Sequence, residues 1–166
     1  MLPYAATAAG AVVLLALLVR CRRRRDSNRI ATLVVLGSGG HTAEMLRLIT
    51  AFDFDRYTPL TLVTAATDTT SRAKAERELP RDALATARWA AIPRAREVGQ
   101  SFGSSVPSTL HALWACVHLI WTAAPDLVLV NGPGTCVPVA VLGRLSGSRV
   151  IFAESWCRVS TLSLTG

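Results

Sequence analysis

Residues 31–42 read ATLVVLGSGGHT, and this stretch decides the fold. Its first half, 31–36, is an uninterrupted apolar run, which is typical of a strand buried on both faces of a parallel sheet. Small residues at 37–40 break the run, and 42–52 then has the spacing of a helix whose apolar set is Met45, Leu46, Leu48 and Ile49. A buried strand, a glycine turn and a helix form the opening unit of a Rossmann-like sheet.

The remainder of the chain repeats this alternation of strand and helix. Further strands are predicted at 60–64, 86–92, 127–130 and 149–153, and further helices at 68–79, 108–123 and 135–145. Pro80 is expected to end the second helix, and the third carries an apolar stripe of Leu110, Leu113, Trp114, Val117 and Ile120. The pattern predicts one α/β domain over 31–166, built on a doubly wound parallel sheet that binds ligands at the carboxyl ends of its strands.

The N-terminal segment has a different character. Of the 166 residues 51% are hydrophobic, and the segment 2–20 carries no charge before Arg20. It is long enough to cross a ~30 Å hydrocarbon core as a helix. Arginines at 20 and 22–25 follow it, within a basic linker over 21–30. Because a signal peptide has its positive charges before the apolar segment, we predict a single transmembrane anchor, with a buried core helix as the less favoured alternative. The positive-inside rule places the N-terminus in the lumen and the domain in the cytosol.

Charge and cysteine content exclude several classes of protein. The formal net charge is +7, but the five arginines at the membrane boundary supply +5 of it. The remaining +2 indicates no basic surface, so we predict no binding of nucleic acid. The four cysteines, Cys21, Cys116, Cys136 and Cys157, have neither paired nor CxxC spacing, which indicates neither a disulfide framework nor a zinc site.

The first loop at a strand end contains Gly37, Ser38, Gly39, Gly40 and Thr42. Its glycines let a ligand approach the backbone closely, and the free N–H groups of the following helix favour a phosphate or pyrophosphate. Thr42 stands where the dinucleotide fingerprint has its third glycine, and only Asp68 offers an acidic residue after the second strand. These departures disfavour NAD binding, while a tight turn without a ligand remains an alternative.

His41 lies in the same loop, at the start of the predicted helix. The positive end of the helix dipole favours a neutral imidazole, which suits a general base. A capping or surface histidine is an equally open interpretation. His111 and His118 lie on one face of a single helix without a third ligand, so we interpret them as structural and predict no metal site.

Two further loops follow buried strands. The second contains Asn131, Gly132, Gly134 and Thr135, and it forms either another nest of backbone donors or a simple turn with a helix cap. The third contains Glu154 and Arg158, which could bind sugar hydroxyls and a phosphate or pair with each other. Two glycine loops on one sheet edge favour a shared anionic ligand.

Three motifs in this order resemble a known family. They are LGSGGHTAEML at 36–46, NGPGTCVP at 131–138 and ESWCRVSTLSLTG at 154–166. Together they are similar to the membrane-anchor subunit of the eukaryotic UDP-N-acetylglucosamine (UDP-GlcNAc) transferase of dolichol-linked oligosaccharide synthesis. That two-subunit enzyme is MurG-like, with the two halves of a GT-B glycosyltransferase fold on separate chains.

The resemblance implies that this chain is the N-terminal, acceptor-side half of a GT-B fold. It implies a heterodimer that adds the second GlcNAc to GlcNAc-pyrophosphoryl-dolichol in protein N-glycosylation. A soluble catalytic partner would carry the UDP-GlcNAc site and be recruited to the cytosolic face of the endoplasmic reticulum membrane. The chain alone would be inactive, and no cofactor is implied. The loop at 37–42 would face the acceptor pyrophosphate, and His41 would deprotonate the acceptor hydroxyl.

The resemblance also carries a departure. Family members usually continue past the point that corresponds to Gly166, so the domain is expected to be incomplete at its C-terminus. Two other functions stay open on the sequence. The chain could be a recruitment scaffold without a site of its own, or a membrane-bound Rossmann oxidoreductase.

Overall fold

The computed structural model describes residues 28–93, 106–132 and 136–157. The predicted anchor at 2–20 and nearly all of the basic linker lie outside these residues, as does most of the loop predicted at 93–106. In the part of the chain that the structure describes, no helix combines the length and the apolar character needed to cross a bilayer.

The described chain contains five parallel strands and five helices, with one helix between successive strands except between the second and third strands, where there are two. The strands are β1 (Thr32–Val35), β2 (Leu60–Ala65), β3 (Arg88–Ile92), β4 (Leu127–Val130) and β5 (Arg149–Phe152), and the helices are α1 (Gly40–Ile49), α2 (Ser71–Glu78), α3 (Arg81–Thr86), α4 (Val106–Ala123) and α5 (Cys136–Leu145). The strands form one sheet in the order β3-β2-β1-β4-β5. Every pairing is parallel, so the predicted Rossmann-like α/β sheet is confirmed.

The core lies on both faces of the sheet, as the uniformly apolar strands require. On one face, Leu33 and Val35 of β1 belong to a cluster that includes buried residues of α4 and α5. On the other face, Val34 belongs to a cluster with Met45 of α1 and Ala75 of α2. All four residues of β1 and all four of β4 are buried, which explains why neither strand alternates polar with apolar side chains.

The structure corrects the sequence-based elements in several places. Helix α2 begins at Ser71 and strand β3 at Arg88, where 68 and 86 were predicted. The short helix α3 was not predicted: Pro80, expected only to end a helix, is the N-cap residue of α3. A proline fits there because its missing N–H is not needed at a helix start. Helix α1 begins at Gly40, two residues earlier than predicted. Leu48 of α1 and Trp114 of α4 were predicted to be in the core, but 38% and 65% of them are exposed, because both lie on the solvent side of their helices.

The strand order places a topological switch point between β1 and β4. From β1 the sheet continues through β2 and β3 on one side and through β4 and β5 on the other. Val35 of β1 is level with Val130 of β4, and Val130 is level with Phe152 of β5. The residues that follow these three strands therefore meet at one edge of the sheet, where doubly wound folds bind their ligands.

Candidate functional site

The glycine turn after β1 leads into the exposed first turn of α1. Gly39 is the N-cap residue and has a φ of +69°, a conformation that glycine adopts without the strain that a side chain would bring. A Cβ atom at Gly40 would meet no other atom within 4 Å. The side of Gly40 where a Cβ would lie is therefore open, and the first N–H groups of a helix have no partner within it, as an anion-binding turn requires.

His41 in this first turn contacts the end of β4. Its Nδ1 atom lies 2.7 Å from Oδ1 of Asn131, the residue directly after the strand. Asn131 is 1% exposed, and its backbone carbonyl also accepts a hydrogen bond from the Cys136 thiol, with Sγ and O 3.4 Å apart. The backbone of Asn131 is thus held in place at the strand edge, and its side-chain oxygen contacts the imidazole ring.

Glu44 of α1 joins the loops that follow β4 and β5. One carboxylate oxygen, Oε2, accepts a hydrogen bond from Nδ2 of Asn131 at 3.0 Å. The other, Oε1, accepts hydrogen bonds from the Ser155 hydroxyl at 2.9 Å and from the backbone N–H of Trp156 at 3.3 Å. A single side chain of α1 therefore contacts the loop after β4 and the loop after β5.

The charge of Glu44 is stabilised by these donors. Its side chain is 14% exposed, and burial by itself would raise the pKa. The hydrogen bonds from Asn131, Ser155 and the backbone of Trp156, together with the nearby His41, outweigh burial and lower the pKa below its usual 4.5. Glu44 is therefore a carboxylate at neutral pH, and its oxygens can accept hydrogen bonds but cannot donate them.

Gly132 allows the imidazole to lie against the loop after β4. A Cβ atom on Gly132 would come within 2.8 Å of Cγ of His41. The residue also has a φ of +104°, which a side chain would strain. Both observations explain a glycine at this position, and the close approach makes the second loop part of the histidine environment.

Thr42 points into the domain and not toward the open turn. It is fully buried, and its hydroxyl donates to the Gly37 carbonyl and lies 2.6 Å from the Ser71 hydroxyl. Ser71 in turn donates to Asp68. The prediction that Thr42 binds the acceptor can therefore concern its backbone alone, because the side chain is used to join the glycine turn to α2.

Asp68 closes the loop after β2. Its Oδ1 accepts the backbone N–H groups of Thr70 at 2.9 Å and Ser71 at 3.0 Å. Burial by itself would raise the pKa of Asp68, but the hydrogen bonds from Ser71 and Thr70 outweigh it and lower the pKa below its usual 3.8. The carboxylate that a dinucleotide ribose would require is occupied by its own turn.

Lys74 brings a positive charge to the glycine turn. It is the only lysine of the sequence, and its Nζ donates to the Gly39 carbonyl at 3.1 Å. Its place beside the turn was not predicted, because it lies 35 residues further along the chain, on α2. Its ammonium group adds to the attraction that the helix start exerts on an anion.

The remaining predicted site residues have mixed outcomes. Gly37 is buried and Ser38 is exposed at the turn. Glu154 accepts the backbone N–H of Ser155 at 3.1 Å, and the third loop enters the site through Ser155 and Trp156. Gly134, Thr135 and Arg158 lie outside the described residues, so their predicted binding roles stay predictions.

The central carboxylate, Glu44, was not singled out from the sequence. A signal for it was present, because His41 and Glu44 are three residues apart and such pairs share a helix face. What the spacing does not carry is the contact with Asn131 and Ser155, which lie 87 and 111 residues away. The Arg47 guanidinium lies 5.9 Å from the centre of the Trp156 ring and supports the same contact.

The acidic pair Asp53 and Asp55 does not contribute to this edge. Asp53 and Asp55 lie between α1 and β2, at the amino ends of the strands, where Asp53 accepts the backbone N–H of Asp55. Over 28–93, 106–132 and 136–157, no three His, Cys, Asp or Glu side chains cluster as a metal site would require. The chemistry of the edge is therefore that of the histidine, the amide, the carboxylate and the helix start.

A parallel sheet with a glycine turn and a polar network at its switch point defines an α/β domain of the Rossmann-like class. Within that class the chain belongs to the Alg14-like family, because the sequence model of the family described as "Oligosaccharide biosynthesis protein Alg14 like" matches residues 32–166. This agrees with the resemblance found in the three motifs.

Relatives in animals and fungi support the assignment. The chain is 42% identical over 180 residues to the human UDP-N-acetylglucosamine transferase subunit ALG14, with 97% of this chain and 82% of the relative covered. It is 43% identical over 187 residues to the mouse protein of the same name, covering 98% and 82%. The Candida albicans protein of that name is 40% identical over 140 residues, covering 80% of this chain and 63% of the relative.

Proposed function

We propose that this chain is the acceptor-binding subunit of a two-subunit UDP-GlcNAc transferase that adds the second GlcNAc to GlcNAc-pyrophosphoryl-dolichol. The names of the relatives support a transferase subunit. The observation that carries the site assignment is the meeting of the glycine turn, His41 and Asn131 at the switch point. This edge offers an anion site and a proton acceptor side by side.

The acceptor pyrophosphate would lie on the first turn of α1. Gly40 has open space where a Cβ would lie, and the unpaired N–H groups and positive dipole end of a helix start favour an anion there. Lys74 adds a full positive charge at Gly39. A pyrophosphate seated on these groups would bring the attached GlcNAc toward His41.

His41 would act as the general base. As the acceptor 4-hydroxyl oxygen forms its bond to the anomeric carbon of GlcNAc and UDP leaves, the hydroxyl proton passes to Nε2 of the ring. UDP-GlcNAc would be held by the soluble partner, so the two chains together would form a GT-B cleft. Alone, this chain would hold the acceptor without a donor, and it would be inactive.

The N-terminal segment would keep the domain beside its lipid substrate. We propose that residues 2–20 span the endoplasmic reticulum membrane once, with the N-terminus lumenal and the domain cytosolic, and that this anchor recruits the soluble subunit. Dolichol-linked acceptors are confined to the bilayer, so a bilayer-bound acceptor site raises the encounter rate. The arginines at 20 and 22–25 would hold the orientation against anionic headgroups.

The contacts of Asp68 and Thr42 disfavour the oxidoreductase alternative. The Asp68 carboxylate is bonded to the N–H groups of its own turn, and the Thr42 side chain fills the place of a fingerprint glycine with a buried hydroxyl. A titration of the chain with NADH, followed by nicotinamide fluorescence, is expected to show no binding.

The test is co-expression with the UDP-GlcNAc-binding subunit and an assay of GlcNAc transfer from UDP-GlcNAc to GlcNAc-pyrophosphoryl-lipid. His41→Gln is expected to lower kcat by roughly 100-fold or more, the size of a general-base contribution, without loss of co-purification. His111→Gln, a change of the same kind at an exposed position of α4, is the matched control and should transfer normally. Co-purification of active enzyme in which His41→Gln has no effect would remove the base role and leave acceptor binding and recruitment.

A further inference from the structure

We propose that Asn131 and Glu44 are positioning residues that hold His41 in the tautomer with its proton on Nδ1 and its lone pair on Nε2. This inference rests on the proposed function, in which Nε2 takes the proton of the acceptor hydroxyl. It goes further by assigning roles to two residues that do not themselves contact the substrate.

The Glu44 carboxylate fixes the orientation of the Asn131 amide. Carboxylate oxygens accept and cannot donate, so the amide group facing Oε2 at 3.0 Å must be the NH₂ group. The reverse orientation would set the amide oxygen against a carboxylate oxygen and would leave the NH₂ group toward the ring. The orientation of this amide thus follows from its partner.

The oriented amide then fixes the tautomer of the ring. Oδ1 of Asn131 faces Nδ1 of His41 at 2.7 Å and can only accept. Nδ1 must therefore carry the proton, and a neutral ring has its lone pair on Nε2. This is the logic by which a hydrogen bond to one imidazole nitrogen sets the chemistry of the other.

The amide also keeps the carboxylate out of direct contact with the ring. Nδ1 of His41 and Oε2 of Glu44 are 3.8 Å apart, which is too far for a hydrogen bond. The hydrogen-bond connection from the carboxylate to the ring therefore runs through Asn131. The other carboxylate oxygen accepts hydrogen bonds from the Ser155 hydroxyl and the Trp156 N–H. The loop after β5 therefore helps to fix the position of the Glu44 carboxylate.

The direct test reads the tautomer by NMR. The full chain, in complex with the soluble subunit in detergent, is labelled with ¹⁵N-histidine, and the two ring nitrogens are distinguished by their chemical shifts above the titration range. The His41→Gln variant identifies which of the three histidine signals belongs to His41. We expect Nδ1 protonated in the unaltered protein and a shift of the population toward Nε2–H in Asn131→Ala. A His41 ring protonated on Nε2 in the unaltered protein would overturn the proposal.

The kinetic test uses a rescue that only this arrangement predicts. Asn131→Asp sets two carboxylates against each other and should lower kcat at least about tenfold, with a smaller change in KM. Adding Glu44→Gln exchanges amide and carboxylate, so that the new glutamine can donate to the new aspartate and still accept from Ser155 and Trp156. The double variant should recover most of the kcat lost in Asn131→Asp. Failure to recover kcat in a double variant that is folded and bound to its partner would contradict the proposal.

A matched control separates these effects from charge loss in general. Glu76→Gln removes an exposed carboxylate of α2 that pairs with Arg72 at 3.1 Å, and it should leave both tautomer and kcat unchanged. The two proposals can fail separately. If His41→Gln retains full transfer, the base role fails whatever the tautomer. If His41→Gln is inactive but the ring is protonated on Nε2, the base role stands and the positioning role is overturned.

Discussion

Gly132 and His41 lie in contact across the sheet edge, so closely that a Cβ atom on the glycine would be 2.8 Å from Cγ of the ring and 3.0 Å from Cδ2. The two residues follow neighbouring strands, β1 and β4, and are 91 positions apart in the chain. Real Cβ atoms do not approach this closely, so the contact restricts both positions.

Gly132→Ala should displace the His41 ring and strain the backbone, because Gly132 also has a φ of +104°. We expect a loss of about 1–3 kcal/mol in the free energy of unfolding and a fall in kcat for GlcNAc transfer of roughly 100-fold. Thermal unfolding and the transfer assay on the two-subunit complex would measure both. An alanine variant with unaltered kcat would show that the position of the ring does not matter.

Gly40→Ala separates ligand approach from turn geometry. A methyl group there meets no protein atom within 4 Å, and alanine is the better helix former by up to about 1 kcal/mol. We expect unchanged or higher Tm together with a KM for the pyrophosphate acceptor raised about tenfold, because the methyl group occupies the space the anion would approach.

Gly143→Ala is the contrasting variant for Gly40→Ala. A Cβ atom on Gly143 would come within 2.9 Å of Cγ2 of Val128 in the core. It should therefore lower Tm and leave the KM for the acceptor unchanged. Equal KM values for Gly40→Ala and the unaltered protein would argue against an acceptor at the first turn of α1.

The stability of the domain should depend on pH through Glu44. Hydrogen bonds lower its pKa in the folded state, so its contribution is fully present above the unfolded-state value near 4.5 and is lost as the pH falls through the lower folded value. Glu44→Gln should cost about 1–3 kcal/mol at pH 7, and the difference from the unaltered protein should shrink below about pH 4. Urea unfolding at several pH values would measure it, and a pH-independent difference would contradict the assignment.

The thiols should differ sharply in reactivity. Burial raises the pKa of Cys116 to about 12 and that of Cys136 to about 11, while Cys157 is exposed. The thiolate is the reactive form of a cysteine. Iodoacetamide at neutral pH should therefore modify Cys157 in the folded protein and modify Cys116 and Cys136 only after denaturation. Peptide mapping by mass spectrometry would follow the order, and early labelling of Cys136 would show that α5 opens readily.

Much of the fold was predictable because it rests on local patterns. The runs at 31–36 and 127–130 are apolar without interruption, and only a strand with both faces covered requires that. Trp114 shows where such reasoning fails. Its spacing fits the apolar stripe of α4, yet 65% of it is exposed, because a helix period does not say how wide the buried face is.

The site was predictable in part for the same reason. The glycine turn and His41 could be found because the turn interrupts a buried strand and the histidine begins the next helix. Glu44 could not be ranked above the other carboxylates from the sequence. Its importance comes from donors on Asn131, Ser155 and Trp156, which chain distance conceals.

By itself, then, the sequence determined the alternation of elements, the position of the glycine turn and the family, because each depends on neighbouring residues. Only the tertiary structure decided what His41 can do. The parallel register of β1, β4 and β5 carries Glu44, Asn131 and Ser155 to one edge. There, the fixed donor and acceptor character of a carboxylate and an amide determines which nitrogen of the ring keeps its lone pair.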